Sequence, residues 1–202
     1  MYLIHPRRYY RNVKNKIEIF KLKRQAEKYG VKLQVGSNVR LIECAIRLQE
    51  DQKFNNTTLI IGDNCFLKYA TFGFWGNNST INIGNYVHIN GGKQARTGFV
   101  VGHDSSIIVG EDCLFSANIR FWTTDFHTIF DAKGTRINVN KDIFIDDHVW
   151  IGTNVFIGKG AKIPKNTVVG AFSVVTKAFE TENVVIAGNP AMIRKNGINW
   201  EE

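Results

Sequence analysis

From Ile145 the chain reads IDDHVW IGTNVF IGKGAK IPKNTV VGAFSV VTK, so that Ile145, Ile151, Ile157, Ile163, Val169 and Val175 stand six residues apart. Six consecutive matches leave few folds open. Four positions after each of the first five stands a small or β-branched residue: Val149, Val155, Ala161, Thr167 and Ser173. Both positions must then face a narrow interior. The third position after the aliphatic one holds Asn154, Gly160 and Asn166. These types tolerate a left-handed backbone, as a sharp corner between short strands requires. Three hexads make one triangular coil.

A longer-range signal agrees. TTLIIGDNC at Thr57 recurs as STINIGNYV at Ser79, as SSIIVGEDC at Ser105 and, more loosely, as KDIFIDDHV at Lys141. Between Gly62, Gly84, Gly110 and Asp146 the spacings are 22, 26 and 36, which leave insertions of 4, 8 and 18 once one coil of 18 is subtracted from each. Cys65 and Cys113 fall on the small inward position, where a thiol acts as an apolar filler. With Cys44 they make an odd number without CxxC spacing, so neither a disulfide framework nor a zinc site is expected.

The repeat, with Val149-Trp150-Ile151-Gly152, Val175-Thr176-Lys177 and the segment VIAGNPAMIR from Val185 to Arg194, resembles the hexapeptide-repeat acyltransferases. Galactoside, maltose and serine acetyltransferases share that segment. The resemblance covers roughly residues 55–195. It implies an all-β fold: a left-handed parallel β-helix that assembles as a homotrimer. The hand comes from the resemblance alone, since parallel crossovers are right-handed in about 98% of cases. The expected organisation is a basic arm with a short amphipathic helix over 1–30, the β-helix over 31–178, and a C-terminal AGNPA tail or helix over 179–202.

The insertion of 18 between Gly110 and Asp146 extrudes a loop of roughly residues 122–140. Long loops in compact repeats are mostly functional or disordered. Its only histidine is His127, in TTDFHTIFD. The resemblance makes His127 the catalytic base and takes the loop across to a neighbouring subunit. The sequence TTDFHTIFDAKGTRIN is similar to the loop of acetyltransferases that modify capsular polysaccharides and sialic acids. The chemistry suits a histidine: a sugar hydroxyl is too weak an acid to attack a thioester unaided, and neutral imidazole accepts protons well at cellular pH. Asp125 or Asp131 would orient the ring, with Asp125 favoured.

The implied donor is acetyl-CoA. By the same resemblance Trp150 walls the acetyl and acceptor pocket. Thr153 and Ala171 contact the pantetheine arm, and Thr176, Lys177 and Arg194 lie near the adenosine phosphates, where cations suit the ligand. The reading is an acetyl-CoA-dependent O-acetyltransferase acting on a sugar or a surface polysaccharide such as capsule, O-antigen or sialic acid. The alternatives are N-acetylation of an amino sugar on a nucleotide carrier and a non-catalytic trimeric glycan-binding scaffold. A metal-dependent β-helix enzyme would need converging histidines, whereas His88, His103, His127 and His148 are 15, 24 and 21 apart, and no metal is expected.

The net charge of +8 is unevenly placed: residues 1–40 hold 11 Lys/Arg against Glu18 and Glu27, and the remainder 15 against 16. Apolar Ile19, Leu22, Ala26 and Tyr29 recur at helical spacing between Val13 and Tyr29. Such a basic helix serves as a solvated face or attracts an anionic glycan or lipid surface. Nucleic acid is not expected, because no aromatic-interleaved or recognition-helix motif accompanies the charge. With no long apolar run, the expected address is cytoplasmic, with the arm available for peripheral contact at the inner membrane face.

Overall fold

The computed structural model describes residues 6–48 and 52–201, with side chains from Val13 onward. Three parallel sheets form the faces of a triangular prism, with six, eight and six strands. The first face runs from Lys32–Val35 through Thr57–Ile61, Ser79–Ile83, Ser106–Val109 and Ile143–Ile145 to Lys162–Ile163. The second holds Arg40–Ile42, Phe66–Lys68, His88–Asn90, Leu114–Phe115, Trp150–Ile151, Val168–Val169 and Val184–Ala187, closed by an antiparallel strand, Met192–Asn196. The third stacks Ala45–Leu48, Ala70–Trp75, Thr97–Gly102, Arg120–Trp122, Phe156–Gly158 and Val174–Val175. This is the left-handed parallel β-helix that the family resemblance implies. The C-terminal segment ends as strand pairing and turns, not as a helix.

The hexad positions behave as their chemistry requires. Ile145, Ile151, Ile157, Ile163, Val169 and Val175 are buried, as are Val149, Val155, Ala161, Thr167 and Ser173. Asn154, Gly160 and Asn166 turn the corners at φ of 59°, 77° and 52°. Corner amides also hydrogen-bond from coil to coil: Asn118 Nδ2 donates to Asn154 Oδ1 at 2.6 Å and Asn166 Nδ2 to Asn183 Oδ1 at 2.7 Å. The recurrent glycine exists because the next coil leaves no room, since a Cβ on Gly62 would lie 2.6 Å from the Gly84 carbonyl carbon. Cys65 and Cys113 are buried fillers, and burial pushes the Cys113 thiol up to about 12.

Large aromatic residues fill the interior of the middle coils. Phe72, Phe99 and Phe121 stack, with ring centroids 5.5 Å apart at 20° and 4.6 Å apart at 2°. Such an offset column adds about 0.5–1.5 kcal/mol per pair to its area burial.

The helix Pro6–Tyr29 is longer than the Val13–Tyr29 expectation, and it buries Leu22 and Ala26 on the first coil. Its polar side chains meet the exposed backbone of that coil. Asn15 donates to Val39 O at 2.9 Å and accepts from Leu41 N at 2.8 Å, while Glu18 accepts from Glu43 N and Gln25 from Ile46 N. Residues 1–5 of the basic arm, and the side chains up to Asn12, lie outside the described residues. Among the described residues no helix is long and apolar enough to cross a membrane.

Candidate active site

The extruded loop leaves the third face after Trp122 and rejoins the first face at Ile143. Its root is an aromatic wedge: the Phe126 ring lies 4.8 Å from Trp75 and 5.0 Å from Trp122, edge-on to both. Phe126 takes a φ of 65° to reach that slot. Further out the two limbs pair. Phe130 bridges Arg136, Ile137 N donates to Ile129 O at 2.9 Å, and Asp131 N donates to Thr135 O at 2.9 Å.

Between wedge and tip the loop is held by side chains. Asn138, 9% exposed, donates from Nδ2 to His127 O and to Asp125 Oδ2, both at 2.8 Å, and its Oδ1 accepts from Ile129 N at 2.7 Å. Lys159, on the connection after Phe156–Gly158, donates to Asp125 Oδ2 at 2.5 Å and to the carbonyls of Asn138 and Val139 at 3.2 Å. Burial pushes the Asp125 carboxyl up, but the hydrogen bonds from Lys159 and Asn138 outweigh it and hold the group below the usual carboxylate range. A cavity of about 430 Å³ opens beside this lock, lined by Trp122, Asp125, Phe126, Phe156, Lys159 and Thr176 among others.

The His127 side chain is exposed, and its ring makes no hydrogen bond among the described residues. The expected Asp125–imidazole pair is therefore not formed in this structure, where Asp125 Oδ2 is taken by Lys159 and Asn138. Asp131 makes no bond to the ring either; its Oδ1 accepts from the Lys133 and Thr135 amides within the loop's turn.

Trp150 stands on the second face, 39% exposed, between Leu114 and Val168 of the neighbouring coils. The C-terminal Trp200 comes to 6.2 Å from its ring and stacks on His148 at 4.2 Å. His148 Nδ1 lies 2.7 Å from Asp112 Oδ2, His148 Nε2 lies 3.0 Å from Trp200 O, and Trp200 Nε1 donates to His148 O at 2.9 Å. The tail is thus clasped beside Trp150. Sequence reasoning missed this clasp, as it missed Asn138 and Lys159.

Thr153, Ala171, Thr176 and Lys177 flank the last coils of the third face, and Arg194 stands on Met192–Asn196, the strand that closes the second. Thr153 and Ala171 occupy its corner with the second face, one coil apart, with Phe172 N donating to Thr153 O at 3.0 Å. Arg194 joins that edge through Nε donating to Ala187 O at 2.9 Å, which leaves its terminal nitrogens unpaired among the described residues. Thr176 and Lys177 follow Val174–Val175 at the opposite edge, with Lys177 Nζ 5.2 Å above the Phe179 ring. Polar and cationic groups along one face suit an extended, phosphate-bearing thioester. Among the described residues no three His, Cys, Asp or Glu side chains converge as a metal site would require.

No family model matches the chain. Over 138 residues it is 33% identical to the galactoside O-acetyltransferase of Lactococcus lactis subsp. lactis, which takes in 67% of this chain and 61% of that protein. Over 123 residues it is 37% identical to the polysialic acid O-acetyltransferase of Neisseria meningitidis, or 52% and 57% of the two chains. The chain thus spans about three-fifths of the length of these curated relatives. Among solved structures, the polysialic acid O-acetyltransferase OatWY superposes with a TM-score of 0.71 at 31% identity, over 85% of this chain and 88% of that one. The Bacillus cereus N-acyltransferase AntD, bound to coenzyme A and a nucleotide sugar, shares the fold alone, with a TM-score of 0.60 at 16% identity over 86% of this chain and 87% of that one. Coils, loop and sequence likeness agree, and the chain belongs to the hexapeptide-repeat acyltransferase family.

Proposed function

We propose that the protein transfers acetyl from acetyl-CoA to a hydroxyl of a sugar or surface polysaccharide, with His127 as general base. The observation that carries this reading is a loop with a locked backbone that presents an unpartnered imidazole to solvent. The likeness to two O-acetyltransferases supports ester rather than amide formation. The amide-forming alternative rests on fold likeness only.

His127 takes the hydroxyl proton as the acceptor oxygen attacks the thioester carbonyl. Collapse of the tetrahedral adduct breaks the carbon–sulfur bond, and the imidazolium returns its proton to the coenzyme A thiolate. The products are an acetyl ester and free coenzyme A. Trp150 would wall the acyl pocket. Thr153 and Ala171 would meet the pantetheine, and Thr176, Lys177 and Arg194 the nucleotide end. Asp125 anchors the loop through Lys159 instead of orienting the ring.

The loop roots at one edge of the third face, while Trp150 belongs to the second. A complete site would therefore pair His127 of one copy with Trp150 of the next, in a homotrimer. The basic N-terminal segment would gather an anionic polymer or hold the protein at a negative lipid surface.

The test offers acetyl-CoA with polysialic acid, a galactoside and a nucleotide-linked amino sugar. The expected product is an acetylated saccharide whose label is lost in mild base, as an ester's is and an amide's is not. Base-stable label, or coenzyme A binding with no transfer, would sink the reading and favour the N-acetyltransferase or the glycan-binding scaffold respectively. Co-expressing His127→Ala with Trp150→Ala chains should restore part of the activity that each lacks alone. No restoration in mixed oligomers would refute the shared site.

A further inference from the structure

We propose that Asn138, held by Lys159, is the positioning residue that sets where the His127 imidazole stands; the inference rests on His127 being the base. The loop has two self-supporting parts: the Phe126 wedge at its root, and the paired tip formed by Phe130 and Arg136 with the Ile137 and Asp131 amides. His127 and Thr128 lie between them. Among the described residues, the only hydrogen bond to the backbone of either is the one that Asn138 Nδ2 donates to His127 O at 2.8 Å.

The Asn138 amide thus ties three alternate residues of the outgoing limb: Asp125 through its carboxylate, His127 through its carbonyl and Ile129 through its amide. Only a group with two donors and an acceptor does this. Asn138 is itself fixed from the coil, since Lys159 Nζ reaches its carbonyl, the Val139 carbonyl and the same Asp125 oxygen. The chain of contacts therefore runs from the rigid prism through Lys159 and Asn138 to the backbone of His127. The ring has no partner of its own, so the carbonyl restraint is what narrows its position. A base displaced by about 1 Å can cost on the order of 10²-fold in rate.

The deciding variant is Asn138→Asp, which keeps the volume and the acceptor for Ile129 N but points an oxygen at the His127 carbonyl and the Asp125 carboxylate. Thiol release from acetyl-CoA is followed with polysialic acid as acceptor, or with a galactoside if the wild type uses that instead. The expected result is kcat lowered by about 10–100-fold, with KM for acetyl-CoA within about twofold and an unchanged oligomer. Lys159→Met should lower kcat in the same way and serves where Asn138→Asp fails to fold. In a His127→Ala background, Asn138→Asp should change the residual rate by less than about twofold, because a residue acting through His127 has nothing left to position. Wild-type kcat in folded Asn138→Asp and Lys159→Met proteins, beside an inactive His127→Ala, overturns this inference and leaves the base intact. An equal further loss in the His127→Ala background overturns it as well. Wild-type activity in His127→Ala removes the base and this inference together.

Discussion

The Phe126 wedge gives a prediction whose size follows from two opposing effects. The residue is 36% exposed, so about two-thirds of it is buried between Trp75 and Trp122. A fully covered phenylalanine buries about 200 Å², so about 130 Å² is hidden here. At ~25 cal/mol/Å² that is about 3 kcal/mol, an upper value because an opened loop still shields part of the ring. Against this stands a φ of 65°, a left-handed conformation that costs a non-glycine residue about 1–2 kcal/mol and that asparagine tolerates better. Phe126→Ala loses the ring and keeps the strain. Phe126→Asn loses the ring and relieves about 1 kcal/mol, for a net loss of about 2 kcal/mol.

At 1.36 kcal/mol per tenfold, the loop should open roughly 150-fold more often in the alanine variant and about 30-fold more often in the asparagine variant. Amide hydrogen exchange reads this directly at Ile129 and Ile137, whose amides bond within the loop. Core amides such as those of the Phe99 strand should be unaffected. Equal exchange in the two variants would refute the strain argument, and wild-type protection at Ile129 in both would refute the wedge itself.

His127→Ala should lower kcat by about 10²–10⁴-fold, the usual share of a positioned acid–base group. Because the ring is exposed and unpartnered, the unfolding free energy should move by less than about 0.5 kcal/mol; a folded variant within about threefold of the wild-type rate would end the general-base reading. The Asp125 carboxyl titrates below its unfolded value near 3.9, so the stability it lends the loop is fully present above that pH and is lost as pH falls through the lower folded value. Intrinsic-rate-corrected exchange at Ile129 should therefore be flat from about pH 8 to pH 5 and rise below about pH 4, and the rise should vanish in Asp125→Asn.

Regular coils were legible because one short-range rule repeats. Burial at Ile151 and Val155 and a left-handed corner at Asn154 follow from a period that any single coil displays. The loop was legible as a departure from that rule, and His127 as its one histidine. What the period does not encode is who meets whom across an insertion. Asn138 reads as an ordinary loop polar residue and Lys159 as an ordinary exposed hexad lysine, and neither shows that their side chains share Asp125. The Asp125–His127 pairing was expected from the way carboxylates orient imidazoles in triad-like sites, and that chemistry says nothing of the lysine 34 residues away that takes Asp125 Oδ2. The Trp200–His148 clasp spans 52 residues and is silent in sequence for the same reason. The extra turns of helix from Pro6 extend beyond the apolar spacing, which marks only the face that meets the coil.

A stack of parallel strands resembles a short length of fibril, and its first rung offers free amides and carbonyls on which another stack could grow. Here two of the three faces of that rung are spoken for. Asn15, Glu18 and Gln25 of the N-terminal helix imitate the missing next coil for Leu41, Glu43 and Ile46, and the reversed strand Met192–Asn196 ends the ladder on the second face. Growth along the axis is thereby discouraged on those faces. Lateral association about an axis closes on itself into a finite ring, where end-to-end addition would run on as a filament. The helix that looks like an appendage thus caps the stack, and a chain without it should elongate end to end, read as a rise in light scattering with concentration that the full chain does not show.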